Sequence, residues 1–169
     1  MKKVYYLKTC NTCTRILKEL NLFICMLLGE HKHTLDTKKR LSLPSKFRKE
    51  LGKTVVITRG LDTCLFVYSV KEWKKFTESL AQLSMGQADT RAFNRFILGG
   101  AVETDIDSAG RILIPDFLKD FADLEQKVVV AGLSNRVELW NTDQWNAYQL
   151  KLEGQADTLA EKLGEIGMI

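Results

Sequence analysis

The sequence contains no run of eighteen or more apolar residues; its longest, Leu22 to Leu28, is too short to span a bilayer. Two lysines follow Met1, but Lys8 interrupts before any long apolar stretch, so neither a membrane span nor a secretory signal is predicted. Cysteine is scarce. Cys10, Cys13, Cys25 and Cys64 are too few and too irregularly spaced to staple 169 residues, and they fit a reducing cytoplasm. Also missing are a Ser-His-Asp set, a phosphate-cradling glycine loop and a catalytic acid pair, which leaves most enzyme classes without working residues. The charge balance is modest. A formal +4 is fully accounted for by residues 1–25, where Lys2, Lys3, Lys8, Arg15 and Lys18 face only Glu19. Net charge therefore does not point to nucleic acid; the distribution of charge has to.

An internal duplication is present. Residues 29–44 align with residues 100–115 at an offset of 71, superposing Asp36 on Asp107, Arg40 on Arg111, Leu41 on Ile112 and Pro44 on Pro115. One residue later the match resumes at an offset of 72, with Gly60-Leu61 on Gly132-Leu133, Tyr68 on Trp140 and Trp73 on Trp145.

Each copy predicts the same local structure. Two extended segments flank Asp-x-x-x-Arg, which reads as a hairpin turn; the aspartate can bond its own backbone two residues on, and Gly110 can take a positive φ. Pro44 and Pro115 then open a short helix, with Phe47 and Leu51, and Phe117, Leu118 and Phe121, as its buried face. Strands follow over Thr54–Thr58 and Cys64–Tyr68, and over Lys127–Ala131 and Val137–Trp140. Ser69 to Glu72 and Asn141 to Gln144 have the form of capping boxes. Trp73, Phe76, Leu80 and Leu83 then recur at helical spacing, a linking helix covers Ala88 to Leu98, and a tail helix runs from Thr142 until Gly154 breaks it. A unit of four short strands and one small helix has a marginal core alone, so the two copies are expected to share one as an intramolecular pseudo-dimer. The expected layout is an extension at 1–25, unit 1 at 26–70, a helical linker at 71–99, unit 2 at 100–143, and a C-terminal helix and tail at 144–169.

With Asp36-Thr-Lys-Lys-Arg40 and Asp107-Ser-Ala-Gly-Arg111, each followed by a Leu/Ile-x-Leu/Ile-Pro strand end, residues from about Met26 onward resemble the MraZ family of bacterial regulators. Glu138-Leu-Trp140 and the glycines before the second copy fit as well. The resemblance implies an α+β fold, mostly β with helices, built as a duplicated AbrB-like swapped-hairpin β-barrel. It also implies a nucleoid-associated, cytoplasmic regulator of cell-division and cell-wall genes that binds duplex DNA at repeated operator sites through loops 36–40 and 107–111. No enzyme activity, cofactor, small-molecule substrate or membrane partner is implied, but a homo-oligomer, a ring, is. The family's glycine before the arginine stands at Gly110 but is replaced by Lys39 in the first copy. That replacement leaves the first turn's geometry open and adds a positive charge.

Charge distribution supports a division of labour. Residues 26–70 carry a net +5 and residues 101–150 a net −5, so phosphate attraction is expected chiefly at Lys38, Lys39 and Arg40. Arg40 and Arg111 are the candidates for reading guanine edges, since a planar guanidinium can pair with O6 and N7. Asp36, Asp107 and Gly110 are assigned to positioning the loops. The plain alternative is that each Asp and Arg form only a structural ion pair. The basic run at 46–53 reads as a solvated helix face. The acidic copy could pair with the basic copy of a neighbouring subunit.

Residues 1–25 fall outside the repeat. Val4 to Leu20 resemble the opening strand and helix of an arsenate-reductase-like thioredoxin fold, in which Cys10 of the Cys10-x-x-Cys13 turn would be the nucleophile of a thiol oxidoreductase. The remainder of such a fold has no room before Met26, so the segment reads as a fragment, upstream extension or fusion scar. A zinc site of Cys10, Cys13, His31 and His33 has poor spacing; the histidines read as strand residues, and Cys25 and Cys64 as small buried hydrophobes. An oligomerisation module without DNA binding is the third reading.

Overall fold

The computed structural model describes residues 27–166. The Cys10-x-x-Cys13 motif, the zinc grouping built on it and Cys25 therefore lie outside the described residues. Eight strands and six helices follow in the order β1 (Leu27–Thr34), β2 (Arg40–Ser42), α1 (Ser45–Leu51), β3 (Thr54–Arg59), β4 (Leu65–Ser69), α2 (Val70–Ala81), α3 (Ala88–Leu98), β5 (Val102–Asp105), β6 (Arg111–Leu113), α4 (Asp116–Phe121), β7 (Lys127–Ser134), β8 (Val137–Asn141), α5 (Thr142–Glu153) and α6 (Ala156–Glu165). Among these, no helix is long and apolar enough to cross a membrane.

The strands of the two copies interleave. One sheet has six strands in the order β1-β7-β8-β4-β3-β5, and β2 pairs with β6 in a separate two-stranded ribbon. All pairings are antiparallel. Thus β1 of the first copy lies on β7 of the second, and β5 of the second lies on β3 of the first.

The expected closed barrel is not formed. The six-stranded sheet stays open, with β1 and β5 as its edges. The chain stretches that would have to bridge those edges are short. Each is three residues long, and Pro44 or Pro115 follows two residues later with no N–H to continue a ladder. They pair with each other instead. The architecture is a mixed α/β fold with two sheets.

Both faces of the large sheet are covered, which explains why its central strands read as nearly continuous apolar runs. Val55, Ile57, Leu65, Val67, Val128, Val130, Val137 and Leu139 join one core with Leu41, Leu43, Phe47, Leu51, Ile112, Ile114 and Leu118 from the ribbon, α1 and α4. On the opposite face, Phe66, Tyr68, Val129 and Trp140 pack under Trp73, Phe76, Trp145 and Tyr148 of α2 and α5, and Cys64 is buried with them. Leu41 and Ile112 face each other across the ribbon and are fully buried. Strand alternation then turns their neighbours Arg40 and Arg111 outward.

Local chemistry sets the element ends. The Ser69 hydroxyl accepts from the Glu72 N–H at 3.2 Å, while the Glu72 carboxylate pairs with Lys75 at 2.7 Å rather than returning to the cap. The Asn141 side chain accepts from the Asp143 and Gln144 N–H groups at 2.8 and 3.3 Å. Phe117, expected in the buried face of α4, is exposed; its ring instead lies 5.9 Å from the Arg59 guanidinium, which also faces Phe96 and Phe121. Leu83 is exposed beyond the end of α2. Glu138 is buried, accepts from Arg136 Nε at 3.0 Å and from Trp140 Nε1 at 3.1 Å, and so ties the residue just before β8 to one within it.

Candidate nucleic-acid interface

Each Asp-x-x-x-Arg segment folds as a tight turn whose aspartate organises it. In the first, Lys39 N donates to Asp36 O at 2.9 Å and Asp36 N to Arg40 O at 3.0 Å; in the second, Gly110 N donates to Asp107 O at 2.8 Å and Asp107 N to Arg111 O at 2.9 Å. The fourth residue is left-handed in both, with φ 59° at Lys39 and 78° at Gly110. That is a three-residue hairpin loop in which a left-handed residue follows the turn. Lysine thus adopts the geometry that glycine favours, and the two loops match despite the substitution.

The carboxylates use both oxygens alike. Asp36 Oδ1 accepts from the N–H groups of Lys38 at 2.8 Å and Arg40 at 2.9 Å, and Asp36 Oδ2 from Arg40 Nε at 2.9 Å and Nη2 at 2.8 Å. Asp107 Oδ1 accepts from Ala109 and Arg111 N–H groups, each at 2.9 Å, and Asp107 Oδ2 from Arg111 Nε at 2.8 Å and Nη2 at 2.7 Å. The Arg40 backbone bond, with its guanidinium, holds the Asp36 carboxyl below the usual carboxylate range. The Arg111 side-chain bond does the same for Asp107. Each aspartate grips its arginine along the Nε side, so both Nη1 hydrogens and one Nη2 hydrogen of the planar fork stay uncommitted.

The ribbon brings the two loops together. Arg40 lies opposite Leu113 and Arg111 opposite Ser42, so both arginines occupy the outer face of β2–β6. Arg111 Nη1 reaches to 3.9 Å from Asp36 Oδ2, joining the two Asp/Arg pairs into one group. The arginine side chains are about a third exposed, at 32% and 30%. They are neither sealed in the fold nor on opposite sides of it.

The surroundings of the loops differ. Lys38 is exposed. Lys39 forms an ion pair with Asp116 at the start of α4 in the other copy. The second loop has no lysine, and its Gly110 is covered by Arg48 of α1, whose Nη1 lies 3.5 Å from Ala109 O. Sequence reading placed Arg48 on a solvated helix face and missed both it and Asp116. Arg48 and Ala109 are 61 positions apart, and no local pattern links them.

Gly110 is consequently tied down twice. A Cβ there would strain the left-handed backbone and fall on the Arg48 guanidinium. Gly110→Ala should lose at least about 1–2 kcal/mol from the backbone alone, read as a lower urea midpoint at unchanged m-value. An unshifted midpoint would show that the loop tolerates a side chain.

Among the described residues, no cluster of His, Cys, Asp or Glu is placed to hold a metal ion. Cys64 is buried, and burial pushes its thiol far above the ordinary range, which suits a packing residue. His31 and His33 lie on β1, with the His31 ring edge-on to Phe47 at 5.2 Å.

Comparison with known proteins matches residues 26–96 and again 97–163 to the family described as "MraZ protein, putative antitoxin-like". The chain is 47% identical over 138 residues to the transcriptional regulator MraZ of Natranaerobius thermophilus, covering 82% of this chain and 96% of that protein. The Caldanaerobacter subterraneus protein of the same description matches with the same identity and coverage. That of Alkaliphilus metalliredigens is 45% identical over 143 residues, covering 85% of this chain and all of its own length.

Proposed function

The chain belongs to the MraZ family of transcriptional regulators, and from that premise we propose that it binds duplex DNA sequence-specifically by laying the β2–β6 ribbon into the major groove. A regulator, not an enzyme, is what family membership makes it. The observation that carries the DNA reading is the paired arginine forks on one outward ribbon face, each held along its Nε side by an aspartate. The major groove of B-form DNA, about 12 Å wide, admits a two-stranded β-ribbon. Arg40 and Arg111 present preorganised forks to guanine edges, Lys38 neutralises phosphate directly and Lys39 by exchanging Asp116 for it, and Asp36, Asp107 and Gly110 hold the loops.

The targets are repeated operator sites before cell-division and cell-wall genes, occupied in the cytoplasm at the nucleoid by a homo-oligomeric ring. Opposite net charges on the two copies favour contact between neighbouring subunits. Selection of bound sequences from random duplex DNA should enrich a repeated short motif, with affinity falling steeply as salt rises. Recovery of no motif, together with a native mass spectrum showing only monomer at every salt concentration, would defeat this reading. Motif-free DNA with an intact oligomer would instead favour an assembly module.

A further inference from the structure

The two loops are matched in backbone geometry but not in charge. Beyond its arginine, the first loop offers Lys38, exposed and in no ion pair among the described residues, and Lys39, which pairs with Asp116; the second offers Ser108, Ala109 and Gly110. Arg111 is already paired with Asp107, and the second copy as a whole is net negative. On a pseudo-symmetric ribbon, one flank would then approach DNA with no free cation of its own. One cation is nevertheless present there. Arg48 is brought from α1 of the opposite copy, and its guanidinium stands where a Gly110 side chain would be.

We propose that Arg48 supplies the phosphate-contacting charge of the second loop. Resting on the DNA reading above, this assigns the residue a role on the same interface. Three observations support it. First, Arg40, Arg111 and Arg136 each have a carboxylate partner, whereas among the described residues none lies within 4.0 Å of Arg48, so its charge is not neutralised. Second, among the described residues its one polar side-chain contact is long, 3.5 Å to Ala109 O. A phosphate offers a shorter, charge-assisted bond of about 2.7–2.9 Å, so exchange costs little. Third, its anchorage is rigid. Phe47 before it is fully buried, Leu51 is 2% exposed, and its backbone bonds Pro44 O and Gly52 N.

The repeat counterpart, Lys119, makes no hydrogen bond to the first loop among the described residues. That loop has a side chain at position 39, paired with Asp116, and brings its own exposed cation in Lys38. Lys38 in one turn and Arg48 over the glycine of the other are thus two ways of placing one unpaired positive charge beside each arginine. In the second way, the glycine makes room for a charge from elsewhere.

The test compares the full-length protein with Arg48→Gln, which keeps much of the stem but loses the charge, and Arg48→Lys, which keeps the charge. Duplex binding is measured across a salt series, on the preferred sequence and on a scrambled one. Arg48→Gln should weaken binding to both sequences alike and lower the slope of log affinity against log salt by about 0.9, one phosphate contact. Arg48→Lys should restore the slope. A purely structural role would lower the melting temperature of both variants and leave the slope unchanged. If Arg48→Gln keeps the parental slope while Arg40→Ala and Arg111→Ala lose binding, the proposal fails and the DNA reading stands. If all of them bind as the parent does, both fall together.

Discussion

Arg40→Ala and Arg111→Ala should each weaken binding to a preferred duplex by about 1–3 kcal/mol, roughly 5–150-fold, and each should relax the sequence preference at one base-pair position. The size follows from what is lost. A bidentate fork distinguishes guanine from the other bases, and alanine offers no donor in its place. The loop itself should survive. Asp36 Oδ1 still accepts from Lys38 and Arg40 N–H groups, and Asp107 Oδ1 from those of Ala109 and Arg111, and none of these bonds needs the guanidinium. Circular dichroism and melting temperature should therefore stay near the parental values while affinity falls. Lys38→Ala should behave differently, weakening all sequences alike and reducing the salt slope. Because Arg111 Nη1 lies near Asp36, the two arginine substitutions should not be strictly additive. A selection experiment in which both variants return the parental motif at parental affinity would remove the arginines from the recognition role.

Much of this site was legible in the sequence because its chemistry is local. Aspartate bonding a backbone two and four residues on, a left-handed fourth residue and a proline soon after all lie within one short window, and the duplication shows that window twice. The caps at Ser69 and Asn141, and the break at Gly154, are local for the same reason. What the sequence could not show is which copy a strand pairs with. The alternation in β1 fits any partner of matching register, and nothing in Leu27 to Thr34 names β7. The closed barrel failed on a related point. Whether short strands bridge two sheet edges or pair with one another depends on the distance to be spanned. Arg48 was hidden by its neighbours, since in a run of Lys46, Arg48, Lys49 and Lys53 every charge looks solvated until the other copy's loop is seen against one of them. Phe117 misled in the opposite way, an aromatic residue next to a buried leucine that serves instead as one wall around Arg59.

Phe47→Ala should be the most damaging single substitution in the described residues, with an expected loss of about 3–5 kcal/mol. The ring is completely buried, and a Cβ on Gly132 would come within 2.7 Å of its Cζ, so no carbon can be added on that side. Phe47 therefore sits at the crossing where β1 of one copy lies on β7 of the other, and neither strand can move to fill the cavity without giving up the pairing of Gly29 with Gly132. A site that cannot collapse keeps the full cost of the void. For a chain of this size the loss corresponds to a fall in melting temperature on the order of 10 °C. Because each copy completes the other's sheet, there is no half that could melt first. The transition should remain single and be followed alike by the tryptophans near α2 and α5 and by far-ultraviolet dichroism. Two resolved transitions, or a loss below 1 kcal/mol, would mean that the interleaved strands do not hold the two copies as one cooperative unit.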